Sequence, residues 1–480
     1  MKNGVHLITY ADSLGGNIRE LHALLKNNFS NALVGIHLLP FYPSSADRGF
    51  APITYREVDE RFGSWEDVEY LGADFDLTVD FMVNHVSSRS SWFLDWKEKG
   101  PESEWDGLFI PVDRLYPDGI PEEDLKKIYT RKPRDPWIPI TSADGSTRYI
   151  WCTFSEEQID IDVFSETGCR WLKEELSALC SHQGIKMIRL DAVGYATKKP
   201  GTRFFFEEPE IVELFDRCKA ITSPFGVELL PEVHEHHSYQ ERLAGWGLPV
   251  YDFALPMLIL YAFYSGEASP LAGWLKRCPR NCITTLDTHD GIGVVDVAGL
   301  LSQDQIDFTV NALYEKGSNM NRRYSSEDYG NLDLYQINCT YYSALGEDDN
   351  DYLAARAIQF FAPGIPQVYY VGLLAGANDI KLVEESRQGR NINRHSYSVE
   401  EAEEELERPV VKRLLELMKF RNSEPAFGGN DIKVTLETEV GVLIIQRKNG
   451  ESEAALKVDF KHHTMQIDIS TPDGQSSVVI

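Results

Sequence analysis

The chain has 480 residues, 42% of them hydrophobic and 11% aromatic, enough to fill one large α/β domain with appendages or several smaller domains. Its 47 basic and 75 acidic side chains leave a formal charge of −28. That field repels nucleic acid and anionic membrane, and it obliges any anionic substrate to be drawn in by local basic groups.

Short apolar runs recur along the chain. They are "VHLITY" (5–10), "LVGIHLLPF" (33–41), "LTVDFMV" (77–83), "IKMIRLDAV" (185–193), "VELLPEV" (227–233), "YDFALP" (251–256), "ITTLD" (283–287) and "GIPQVYY" (364–370). Runs that are apolar on both faces predict strands of a parallel sheet covered on both sides, and amphipathic stretches such as "GCRWLKEELSALCSHQ" (168–183) supply the covering helices. Eight such runs predict an α/β fold of the (β/α)8 TIM barrel type. An open doubly wound sheet is the alternative, but no glycine-rich phosphate loop follows the first strand.

Two intervals exceed a simple βα loop and predict inserted loop domains: 86–165, with the basic cluster "YTRKPRDPW" (129–137), and 291–346. The barrel would then comprise 1–85, 166–290 and 347–425. The acidic run "VEEAEEELE" (399–407) predicts the solvated start of a helix continuing through Val411, Leu414, Leu415 and Met418. Short strands with the turn signals "KNG" (448–450) and "PDG" (472–474) predict a small C-terminal all-β domain over 426–480.

Seven cysteines without a CxxC pair predict reduced, mostly buried thiols. No signal-peptide apolar region and no run of membrane-spanning length is present, so the expectation is a soluble, cytoplasmic protein.

Four strands end in ionisable groups: Asp80, Asn84 and His85; Arg189 and Asp191; Glu232; and Asp287, His289 and Asp290. In a parallel barrel the carboxyl ends of all strands open onto one face, so these groups can converge. Taken singly, each fits a structural ion pair or a cap, and Asp80 and Asp287 suit that role best, Asp80 lying early enough to bond loop backbone. Taken together, several buried carboxylates are too costly unless something uses the charge. Three carboxylates with an arginine and histidines suit glycoside chemistry. Asp191, beside Arg189, suits an ionised nucleophile. Glu232 follows the apolar "VELLP", where desolvation favours a general acid. Asp290 would stabilise an oxocarbenium-like transition state, with His85 and His289 placed for sugar hydroxyls. "VHEHH" (233–237) lacks HExxH spacing, and no metal is expected.

The segments "DFMVNH", "RLDAVGY", "PEVH" and "LDTHD" resemble, in order and spacing, the four signature regions of the α-amylase superfamily. "NLDLYQINCTYYSALG", "IPQVYYVGLLAG" and "GRNINRH" are similar to the sucrose phosphorylase group within it, and the likeness covers essentially the whole chain. The resemblance implies Asp191 as nucleophile, Glu232 as acid/base and Asp290 as transition-state stabiliser. It implies a glucose subsite of Asp47, His85, Arg189, His289 and Arg390, walled by Phe50 and Phe154, with Gln158 also binding substrate. Tyr195, His234, Asp333, Tyr335 and Gln336 match positions on the acceptor side, where fructose leaves and phosphate enters.

Phosphate needs a local cationic clamp, and "TRKPRDP" offers Arg131, Lys132 and Arg134. Arginine's bidentate geometry makes Arg134 the first choice, while Lys132 suits a solvated turn. The expected substrates and products are sucrose, inorganic phosphate, glucose 1-phosphate and fructose, with no dissociable cofactor and a homodimer as a possible assembly. The basic loop also resembles relatives acting on sucrose 6′-phosphate, whereas Tyr335 pulls back toward free sucrose. Glucosylglycerol and glucosylglycerate phosphorylases share the catalytic frame, and hydrolysis or transglucosylation of an α-glucoside is the further alternative. A catalytically dead barrel is disfavoured because all three carboxylates are present.

Overall fold

The computed structural model of the chain describes residues 1–130, 134–142, 145–318, 336–438, 441–471 and 474–478. Each of the eight apolar runs overlaps a strand: β1 (His6–Thr9), β2 (Gly35–Leu38), β3 (Asp76–Met82), β4 (Ile185–Asp191), β5 (Glu228–Pro231), β6 (Val250–Asp252), β7 (Cys282–Thr284) and β8 (Ile365–Tyr369), with β3, β6 and β7 each starting one residue before its run. They form one eight-stranded sheet in the order β6-β7-β8-β1-β2-β3-β4-β5, the nearly closed parallel barrel of the (β/α)8 class. The described residues gather into two compact units.

One unit comprises the described residues of 38–233. Within it β3 pairs in parallel with β4, setting Asp80 against Arg189 and Met82 against Asp191. β4 pairs in parallel with β5, setting Leu190 against Pro231. All seven residues of β3 are buried, including Asp80, which is why its sequence reads apolar without alternation. The helix Glu166–Cys180 is capped by Ser165, whose side chain accepts from the Gly168 amide. It buries Trp171, Leu172, Leu176 and Leu179, each large apolar side chain contributing about 1.5–3 kcal/mol on burial. Two antiparallel pairs, Trp137–Thr141 with Thr147–Trp151 and His85–Ser87 with Gln158–Asp160, follow β3 in the chain. Ile110, Tyr116, Ile128, Trp151 and Phe204 pack into a small core of their own.

The other unit comprises the described residues of 1–37, 234–318 and those from 336 onward. In it β1 pairs with β8, β8 with β7 and β7 with β6, all in parallel. The helix Leu255–Ser265 is apolar all round and buries nine of its residues, as expected of an element enclosed on every side. A short antiparallel pair joins Ile292–Gly293 to Gln336–Ile337.

The same unit carries a separate five-stranded antiparallel sheet: β9 (Asp431–Glu437), β10 (Val442–Asn449), β11 (Ser452–Asp459), β12 (Thr464–Thr471) and β13 (Gly474–Val478). Asn449 pairs with Ser452, so "KNG" leads into a two-residue hairpin loop in which Gly450 takes a φ of 60°. Pro472 and Asp473 of "PDG" lie outside the described residues.

One expected helix is two. The acidic run forms Val399–Glu405, and a second helix, Pro409–Ser423, starts afresh with Pro409 in its first turn. Proline has no amide hydrogen to continue a helix but suits the first turn of a new one. All seven thiols are unpaired; six are buried and Cys169 is half-buried.

Candidate active site

In the unit of 38–233, β4 places Arg189 and Asp191 on one face because alternate residues of a strand share a side. The guanidinium is buried, and its NH1 donates to the carboxylates of both Asp80 and Asp191, the latter at 2.8 Å. Its NH2 lies 3.6 Å from Glu232 Oε1. Three carboxylates thus face one arginine, a group that stays charged at any working pH. The β4–β5 register explains why Glu232 is among them. Its amide donates to the Leu190 carbonyl at 3.1 Å, carrying the ladder one residue past Pro231. Its Oε2 accepts from the Ala192 amide at 3.1 Å.

Ala192 sits at φ 51°, ψ 26°, in the left-handed region. A non-glycine residue there costs roughly 1–3 kcal/mol, a strain typical of positions where surrounding bonds fix the backbone. Here it turns the chain out of the strand directly after Asp191. Asp80, expected in a structural ion pair or cap, is a fully buried ion-pair partner of Arg189.

The Phe50 ring lies 5.8 Å from the Arg189 guanidinium carbon. The Phe50 carbonyl accepts from His85 Nε2 at 2.9 Å and Gln158 Nε2 at 3.1 Å. Asn84 Nδ2 lies 3.3 Å from His85 Nδ1, and Gln158 Nε2 lies 3.1 Å from His85 Nε2, so both ring nitrogens are engaged. Burial lowers the His85 pKa, outweighing the upward pull of Asp160. Phe154 meets His85 edge-on at 5.4 Å and Tyr195 at 5.1 Å. Asp47 is exposed at the head of a short turn in which Asp47, Arg48 and Gly49 take φ of 52°, 48° and 109°. At Gly49 a Cβ would meet the Pro40 carbonyl oxygen at 2.5 Å, so glycine is required there.

Sequence reasoning missed the pair beneath these residues. Lys198, almost fully buried, lies 2.9 Å from Asp160 and donates to Asn84 Oδ1 and the Tyr195 carbonyl, both at 2.7 Å. Only the repeated polar residues of "ATKKP" signalled it. Arg134 is half-buried and folds back on its own neighbourhood, donating to the Asp135 carbonyl at 2.9 Å and the Cys152 carbonyl at 3.4 Å. Arg131 and Lys132 lie outside the described residues.

In the other unit, Asp290 is ringed by cations. His289 Nε2 approaches it at 3.5 Å, and Arg390 and Arg394 each at 3.9 Å. Burial pushes its carboxyl pKa up, but His289, Arg390, Arg394 and His234 overcome this and hold it well below the usual carboxylate range. Asn393 Nδ2 donates to the carbonyls of Thr288 and Asp290, and Arg394 Nε to that of His289, so the segment after Arg390 clamps the loop bearing Asp290. Arg390 is exposed, and Arg394, buried in the same "GRNINRH", is a cation that sequence reasoning passed over.

Asp287, expected in a structural ion pair or cap, makes a buried bidentate pair with Arg356, both contacts at 2.8 Å. His234 stacks on Phe253 with centroids 3.7 Å apart. His236 contacts the Ser238 hydroxyl at 2.9 Å, and His237 packs edge-on against Trp274. Gln336 is half-buried and paired with Gly293, whereas Asp333 and Tyr335 lie outside the described residues.

Over residues 32–241 the chain matches the family described as the catalytic domain of alpha amylase. Sucrose phosphorylase of Streptococcus mutans is 49% identical over 475 residues, covering 98% of this chain and 98% of that protein. Glucosylglycerol phosphorylase of Marinobacter adhaerens is 42% identical, covering 97% of this chain and 96% of that protein. The crystal structure of sucrose 6F-phosphate phosphorylase from Thermoanaerobacter thermosaccharolyticum superposes with a TM-score of 0.95 at 43% identity, covering 100% of this chain and 98% of that one.

Proposed function

The chain belongs to the sucrose phosphorylase group of the α-amylase family, and on that premise we propose that it catalyses the reversible phosphorolysis of sucrose to α-D-glucose 1-phosphate and fructose. The observation that carries the reading is the single Arg189 guanidinium facing both Asp191 and Glu232 at the ends of adjacent strands. A retaining mechanism needs this kind of pair, a nucleophilic carboxylate and a nearby carboxyl acting first as acid and then as base.

In the first displacement Asp191 attacks the anomeric carbon, the bond to the fructosyl oxygen breaks, and Glu232 gives that oxygen its proton. In the second a phosphate oxygen attacks the same carbon, the ester to Asp191 breaks, and Glu232 takes a proton from the incoming phosphate. Two inversions retain the α configuration. Asp290, kept ionised by its cations, stabilises positive charge on the glucosyl group in both transition states. His85, Gln158, Phe50, Phe154, Asp47, His289 and Arg390 serve the glucose subsite; Tyr195, His234, Asp333, Tyr335 and Gln336 serve the acceptor side; Arg134 serves phosphate. Residues 86–165 and 291–346 are read as the inserts that carry acceptor-side loops.

Phosphate is a substrate, so no dissociable cofactor is invoked. No helix among the described residues is long and apolar enough to cross a membrane. A cytoplasmic location is part of the proposal.

The test is glucose 1-phosphate release from sucrose with and without phosphate. Release that requires phosphate is expected; undiminished sucrose cleavage in its absence would turn the reading to a hydrolase or transglucosylase. The basic loop around Arg134 favours, as second reading, an acceptor that carries its own phosphate. Assaying sucrose, sucrose 6′-phosphate and glucosylglycerol side by side separates these, and sucrose as the poorest of the three would overturn the substrate assignment.

A further inference from the structure

Asp296 lies in the short turn Val295–Val297 and is fully buried. Its Oδ1 accepts from Gln240 Nε2 at 3.3 Å, and its Oδ2 faces His234 Nδ1 at 3.7 Å, within ion-pair reach. Among the described residues His234 is the one cation-forming group within ion-pair distance of this carboxylate. A buried carboxylate with no cationic partner would be costly, so the pair is mutually favoured when His234 is charged.

Two further observations point the same way. The His234 ring stacks on Phe253 at 3.7 Å and 17°, and Phe253 stacks on Tyr251 at 4.7 Å and 16°, a π-face that favours a protonated ring. Space for the carboxylate depends on Gly293, where a Cβ would lie 2.2 Å from Asp296 Oδ2 and 3.7 Å from His234 Nδ1. Gly293 is itself paired with Gln336, another acceptor-side position. Further carboxyls lie close to this pair, and the cations His289, Arg390 and Arg394 gather around one of them, Asp290. Asp252 feels the charge of Asp296, Asp290 feels that of His234, and Glu232 and Glu235 flank His234 in the chain.

We propose that Asp296 is a positioning residue that holds His234 as the imidazolium receiving phosphate in the second displacement. The proposal rests on the reading of the chain as a phosphorylase with His234 on its acceptor side. In a protein of charge −28 a phosphate dianion needs such a local cation, whereas the departing fructose is neutral and does not. Asp296 therefore acts on one half-reaction and spares the other.

The test compares the full-length wild type with Asp296→Asn, which keeps the shape and removes the charge. In a ping-pong reaction kcat/KM for sucrose reports glucosylation and kcat/KM for phosphate reports its resolution. The expected result at neutral pH is a roughly tenfold loss of kcat/KM for phosphate, with its basic limb moved about one pH unit downward, while kcat/KM for sucrose is nearly unchanged. In a His234→Gln background, Asp296→Asn should add almost nothing. Equal loss for both substrates with an unmoved limb, or a full Asp296→Asn effect without His234, overturns the proposal.

Should Asp296→Asn fail to fold, the wild type alone decides by NMR titration of His234. A pKa above that of free histidine supports the proposal, and one at or below it overturns it. Wild-type sucrose turnover that needs no phosphate would overturn the phosphorylase reading, and this proposal with it, before any variant is compared.

Discussion

Arg189 and Asp191, two residues apart on β4, are joined by a 2.8 Å hydrogen bond from guanidinium to carboxylate. The strand that carries them is otherwise a barrel wall, so the bond sits where charge is hardest to accommodate. It persists because the same guanidinium also engages Asp80 and faces Glu232. The arginine orients the Asp191 carboxylate, and the carboxylates hold the arginine.

Replacing Arg189 with Leu leaves three carboxylates near one another without their cation. Stability at neutral pH should fall by about 3–5 kcal/mol, the usual cost of orphaning a buried charge. Urea denaturation measures it, and the loss should shrink at acid pH as the carboxyls protonate. A variant as stable as the wild type would contradict the network.

Lys198→Met removes the ammonium that Asp160, Asn84 and the Tyr195 carbonyl share. It should likewise destabilise by about 3–5 kcal/mol, and adding Asp160→Asn should restore part of that loss because the pair is coupled. Additive rather than compensating effects in denaturation would argue against the coupling.

Asp252 gives an opposite pH signature. Burial pushes its carboxyl up to about 6, against bonds from the Trp274 indole that pull it down. The unfolded chain releases this proton near pH 3.9, so between that value and about 6 the folded state binds more protons and loses stability as pH rises. Asp252→Asn, which can still accept from Trp274, should gain on the wild type as pH is raised through that window. A stability difference flat with pH would refute the assignment.

Asp290 behaves the other way. Its folded pKa is depressed, so its stabilisation is complete above its unfolded value of about 3.9 and is lost as pH falls toward the folded one. The wild type's advantage over Asp290→Asn should narrow on acidification below about pH 4. An advantage that grows instead would mean the cations around Asp290 do not act on it.

The apolar runs disclosed all eight barrel strands because a strand covered on both faces has to be apolar almost throughout. The carboxylates at strand ends stood out against that background. Their partners did not. Asp80 and Arg189 lie 109 positions apart, and Asp287 and Arg356 lie 69 apart, so no local pattern links them. Arg356 looks like a surface residue in "LAARAIQFF" yet is wholly buried. Lys198 and Arg394 were hidden in the same way. The break before Pro409 was legible, since proline after an acidic run marks a new first turn, but the apolar spacing beyond it suggested a continuous helix.

The central claim is that Asp191 becomes covalently glucosylated and that phosphate resolves the ester. The most direct measurement is mass spectrometry of Glu232→Gln incubated with α-glucosyl fluoride without phosphate. Fluoride leaves without an acid, and the missing base slows attack by water, so the glucosyl-enzyme should accumulate. One hexosyl group is expected on the peptide containing Asp191, discharged as glucose 1-phosphate when phosphate is added. Glucosyl transfer to phosphate with no adduct on Asp191, or with an adduct on another residue, would contradict it.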